Sequence, residues 1–189
     1  MTRSRASLYV AVGQWGLLAL LALAVALHPE FVVRWNEVGL SNYGVHLRTV
    51  IPYTLALGLG GGLALASARS IVASDRTTRH LRFVLNAYGT LVLLILASTY
   101  GYRVSSSLRV VHITINVITA IFLTGASPWL FTRIPTRSNS FWLTVELAGF
   151  VLAVVDFVNL LHVLFLAQLL IGVGFGVLIV RAVRWGDPC

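Results

Sequence analysis

The chain has 189 residues, of which 58% are hydrophobic and 11% charged, with a mean hydropathy of +0.87. Soluble domains carry about a quarter charged residues, so so few charges between long apolar runs point to lipid as the solvent. The net charge is +8 and every one of the 14 basic residues is Arg. A chain without lysine excludes Schiff-base chemistry and a P-loop. The single cysteine, Cys189, excludes an internal disulfide and a cysteine metal cluster. The arginines flank apolar runs instead of forming a patch interleaved with aromatics, which argues for membrane orientation and against nucleic acid.

Apolar length predicts an all-α bundle of six transmembrane helices in one domain, 1–189, with spans near 8–27, 49–68, 83–100, 108–131, 141–158 and 163–180. The first follows a short basic start with Arg3 and Arg5 and is longer than a signal-peptide core, although Ala24-Val25-Ala26 resembles a cleavage site. It is expected to be retained. Residues 28–48 form the longest polar connection. In the second span, Pro52 occupies the first turn, where its missing N–H costs little. Gly58 and Gly62 form a GxxxG pair there, expected to pack against another helix.

Residues 69–82 read as a basic loop, and 132–140 as a second one. The fifth and sixth spans form a hairpin with Asp156, Asn159 and His162 near its turn. Six spans put both termini on one side. Ten arginines fall on that side and four, Arg34, Arg48, Arg103 and Arg109, on the other. This predicts cytoplasmic termini in the cytoplasmic membrane. Arginine without lysine hints at a GC-rich bacterial genome.

Ionisable groups inside spans are costly in lipid and face the bundle interior. His112, Asn116 and Thr119 share one face of the fourth span, for interhelical hydrogen bonding or for a ligand. Glu146, Gly149, Ala153 and Asp156 share a face of the fifth, with Glu146 at the depth of Asn86. Glu146 and Asp156 are candidates for a proton path. On the sixth, Gln168, Gly172 and Gly176 align as a packing seam with one amide. By depth, His46, Tyr53, Tyr100, His112, Asp156 and His162 map to the outer half of the bilayer. An outward-facing polar chamber under the first loop is the expectation.

His46, His112, His162 and Asp156 are the available metal ligands, but no HExxH or i, i+4 histidine pair supports a metal site, and no cofactor is expected. No GxSxG serine motif occurs.

In the first loop, Asn36-Glu37-Val38-Gly39 precedes Ser41-Asn42-Tyr43-Gly44 and the second span. An acid, a spacer and a glycine at this place resemble the first-loop signature of DRAM-type six-helix membrane proteins. That group includes autophagy modulators, GPI-lipid remodelling factors and bacterial relatives. The resemblance implies a lipid-associated role for Glu37 and Gly39.

Three functions follow as expectations. The first is binding of a lipid or a protein partner, including a second copy, through the first loop and the chamber. Its candidate ligand-binding residues are Glu37, His46, His112, Asn116, Asp156, Asn159 and His162. The second is a membrane-embedded hydrolase or lipid-transferring enzyme, with His162 as base, Asp156 orienting it, and His112 or Tyr53 stabilising charge. The third is a proton-coupled transporter using Glu146 and Asp156.

Overall fold

The computed structural model describes residues 2–30, 39–158 and 162–185. Six α-helices follow in order: α1 (Thr2–Leu27), α2 (Val50–Ser70), α3 (Arg76–Thr99), α4 (Ser106–Arg133), α5 (Arg137–Phe157) and α6 (Leu164–Trp185). A short 3-10 helix, Leu40–Gly44, precedes α2. All six helices are long and apolar enough to cross a membrane.

Helix starts are set by local chemistry. Asp75 caps α3 by accepting the Thr78 N–H at 2.9 Å, while the Thr78 hydroxyl accepts the Asp75 N–H at 3.1 Å. This reciprocal box satisfies two backbone donors at once. It explains why Arg76–Arg82, read from composition as loop, is the first two turns of α3. Ser105 and Thr136 cap α4 and α5 one way only, their hydroxyl oxygens accepting the Leu108 N–H and the Asn139 N–H, each at 3.2 Å. The loop expected over 132–140 accordingly shrinks to a few residues between Arg133 and Arg137.

Helices α1, α2, α3 and α4 pack in sequence, and α6 closes the ring between α4 and α1. Helix α5 lies outside it, against α6 and α4. Burial matches this order: 56% of the most apolar window of α6 is buried, against 11% for α5. At one end Ala6 meets Ser67, His80 meets Trp129, and Asn139 meets Arg181. The start of α1 and the end of α6 therefore share an end of the bundle. The 3-10 helix occupies the opposite end.

Close helix approach depends on glycine. A Cβ at Gly61 would lie 2.9 Å from the Gly89 carbonyl oxygen, and one at Gly89 would lie 2.7 Å from that of Gly61. Helices α2 and α3 thus touch backbone to backbone, as small residues permit. The expected GxxxG pair does not take part. Around Gly58 and Gly62 nothing lies within 4 Å of an added Cβ. Helical phase explains the correction: Gly60 and Gly61 face α1 and α3, and turning them inward carries Gly58 and Gly62 to the periphery.

Candidate functional site

The first loop is folded into the bundle. Ser41, Asn42, Tyr43 and Gly44 are all buried. Gly39 starts the segment at φ 66°, a left-handed conformation natural to glycine. A side chain there would also strike Gln168, since a Cβ would lie 2.5 Å from Oε1. Gln168 uses that oxygen to accept the Leu40 N–H at 2.7 Å, fixing the loop to α6. The far end is fixed by Thr49, whose hydroxyl donates to the Tyr43 carbonyl at 2.7 Å.

Between these anchors the loop meets α3 and α4 through His112. Ser41 Oγ lies 2.7 Å from His112 Nε2, and Ser98 Oγ lies 2.8 Å from Nδ1. Asn116, one turn along α4, places Nδ2 3.1 Å from Nε2. The Tyr102 ring stacks on the imidazole at 5.1 Å and 22°. Its hydroxyl donates to Asn42 Oδ1 at 2.8 Å, and Arg103 donates to the same oxygen at 2.9 Å. Tyr53 joins the cluster from α2, 3.2 Å from Thr99 Oγ1. One imidazole thereby links loop, α3 and α4.

A basic rim surrounds this seat. The His28 and His46 rings meet edge to face at 4.2 Å. His46 is held below the usual histidine range, first by partial burial, then by the positive fields of His28, Arg48 and Arg103. Glu30 opposes that shift. Tyr43 is pushed above the usual phenol range by burial.

The remaining candidates lie apart. Asp156 Oδ1 accepts the Val163 N–H at 2.8 Å, tying the hairpin turn at the start of α6. His162 is exposed. Among the described residues no hydrogen bond joins Asp156 or His162 to each other or to His112. Glu146 is fully buried, where Ser127 Oγ of α4 donates to Oε2 at 2.5 Å. The partner anticipated by depth, Asn86, is not the one used. Thr119, third on the His112 face, donates to the Ile115 carbonyl at 2.7 Å. Glu37 and Asn159 lie outside the described residues. Among the described residues no group of three His, Cys, Asp or Glu side chains is placed to hold a metal.

Sequence reasoning missed Ser41, Asn42, Ser98, Tyr102 and Arg103 as site members. It also missed Gln14 and Tyr88 at the bundle centre. Ser98, Tyr102 and Arg103 surround the α3–α4 turn, so proximity to His112 was their signal. Ser41 and Asn42 had none beyond belonging to the first loop. Comparison with family models, curated proteins and solved structures returned no match.

Proposed function

We propose that the chain is a multi-pass protein of the cytoplasmic membrane, with both termini in the cytoplasm, that binds the headgroup of an anionic lipid over its seated first loop. Six apolar helices and the sorting of arginines between the bundle ends support the topology. The observation that carries the binding reading is the fixed guanidinium of Arg103. It bonds Asn42 Oδ1 at 2.9 Å yet remains exposed. Guanidinium has five N–H donors, and the loop uses only part of them. Arg48 and His28 act with Arg103 on the same spot, where together they depress His46, so the rim attracts phosphate. The likeness of the 36–39 segment to DRAM-type proteins points the same way, toward lipid.

The other two readings have less support. Asp156 is engaged by the Val163 backbone, which leaves the hydrolase set built on Asp156 and His162 without its central bond. Residues 147–155, between Glu146 and Asp156, carry no titratable side chain, so the fifth span offers no intermediate proton station.

The test is native mass spectrometry of protein released from nanodiscs containing equal phosphatidylglycerol and phosphatidylcholine. Retention of phosphatidylglycerol is expected to dominate. Arg103→Gln should reduce that preference roughly tenfold or more, since a hydrogen bond to a charged group contributes about 1.5–3 kcal/mol. Equal retention of both lipids by the wild type would overturn the reading.

A further inference from the structure

The heavy-atom contacts around His112 match one placement of its proton. Asn116 Nδ2 lies 2.8 Å from the His112 carbonyl oxygen, which can only accept, so the amide must present its nitrogen there. The same nitrogen lies 3.1 Å from His112 Nε2. With the amide as donor, Nε2 is the acceptor and Nδ1 carries the proton, the tautomer on which the proposal below rests. Ser98 Oγ receives that proton at 2.8 Å and donates its own proton to the Ile95 carbonyl at 3.0 Å. On the other side Ser41 Oγ lies 2.7 Å from Nε2, and in this tautomer its hydroxyl shares the one lone pair of Nε2 with the Asn116 amide. A neutral imidazole aimed with its bare nitrogen at a serine hydroxyl is what general-base activation of that serine requires.

A second feature adjoins it. Asn42 Oδ1 accepts from both Tyr102 and Arg103, which fixes the orientation of the amide. Its Nδ2 is buried and, among the described residues, has no partner. Asn42 is 1% exposed. A buried N–H without an acceptor among the described residues is a donor left for a ligand oxygen, and it belongs to the residue next to Ser41.

We infer that Ser41 is an acyl-accepting nucleophile, with His112 as its base and Ser98 positioning the imidazole, acting on the carboxylic ester of a lipid. The lipid substrate rests on the headgroup reading above; the nucleophile stands on its own geometry. Ser41 Oγ bonds to the acyl carbonyl carbon as its proton passes to His112 Nε2. The ester C–O bond breaks, and the alcohol leaves with that proton. The hydroxyl of a second lipid, or water, then attacks the acyl-Ser41 carbonyl and gives its proton to Nε2. That proton returns to Ser41 Oγ as the acyl group departs.

The test uses the full chain in phosphatidylglycerol nanodiscs. A fluorophosphonate is added and the adduct located by peptide mass spectrometry. In a parallel arm, acid quenching without the probe is followed by a search for acyl mass on Ser41. The expected result is phosphonylation at Ser41 and an acylated Ser41 peptide in the quenched sample. His112→Gln should slow phosphonylation about 100-fold or more, the contribution typical of a general base. Ser98→Ala should slow it less, and Ser98→Thr should restore it, which distinguishes positioning from loss of fold. Absence of a Ser41 adduct in folded wild-type protein, or equal rates in wild type and His112→Gln, would overturn the inference. If phosphatidylglycerol retention persists in that case, the headgroup seat stands without the chemistry. Phosphonylation without any lipid preference would support the nucleophile and overturn the headgroup seat.

Discussion

Gln14 and Tyr88 join α1 to α3 in the middle of the bundle, where the Tyr88 hydroxyl donates to Gln14 Oε1 at 2.8 Å. The same amide donates from Nε2 to the Gly172 carbonyl of α6 at 3.1 Å. Three helices thus share one side chain that is 3% exposed. In an apolar interior an amide left unbonded is costly, so this link fixes the rotation of all three helices.

The amide occupies the space that Gly176 leaves open, since a Cβ on Gly176 would overlap Gln14 Nε2. Gly176→Ala should push the amide away from both partners and destabilise the bundle by about 1–3 kcal/mol. Gln14→Ala alone should cost a similar amount. The double variant should be much less unstable than the sum, because the clash needs both side chains. Thermal unfolding in detergent across this four-member cycle checks the coupling. Additive losses would contradict it.

The glycines of α2 should behave in two classes. Gly61→Ala meets the Gly89 backbone and should lower the melting temperature. Gly58→Ala and Gly62→Ala meet nothing within 4 Å and should leave stability unchanged or raise it by up to about 1 kcal/mol through helix propensity. Equal losses at all three positions would show that the outer glycines have a partner in the membrane.

Glu146 and Ser127 should be coupled in stability. Ser127→Ala leaves a buried carboxyl oxygen without its donor and should cost about 1–3 kcal/mol. Glu146→Gln keeps an acceptor of the same shape and should cost less. A denaturant series comparing the two variants measures the difference.

His46 makes stability depend on pH. Its folded value is depressed by partial burial and by His28, Arg48 and Arg103, against the opposing pull of Glu30. The unfolded chain therefore binds a proton more readily. The neutral form contributes stability above the ordinary value of 6.5, and that contribution is lost as pH falls through the lower folded value. Melting temperature should fall as pH drops below about 6.5. His46→Asn should flatten that part of the profile.

The six helices were legible because each is a long apolar run bounded by Arg, and lipid permits few other backbone solutions. Their ends were less legible. Arg76–Arg82 looks like loop by charge, and only the Asp75–Thr78 box shows that a helix starts there. Polar partners were least legible. His112 was visible as an imidazole inside a span, but its contacts to Ser41 and Ser98 depend on how the loop folds back and how α3 rotates. Glu146 was placed at the correct depth for Asn86, yet depth does not say which neighbour faces it. Gln168 was visible as the one amide of a glycine seam, while its actual partner, the Leu40 N–H, is a backbone group no composition reveals.

The seating of residues 39–45 in the bundle is most directly tested by hydrogen exchange on the protein in nanodiscs. The Leu40 N–H bonded to Gln168 and the Val45 N–H bonded to the Asn42 carbonyl at 3.3 Å should exchange slowly. Gln168→Leu should release Leu40, and His112→Ala should release the whole segment. Exchange of these amides in the wild type at the rate of an open, solvated loop would contradict the account.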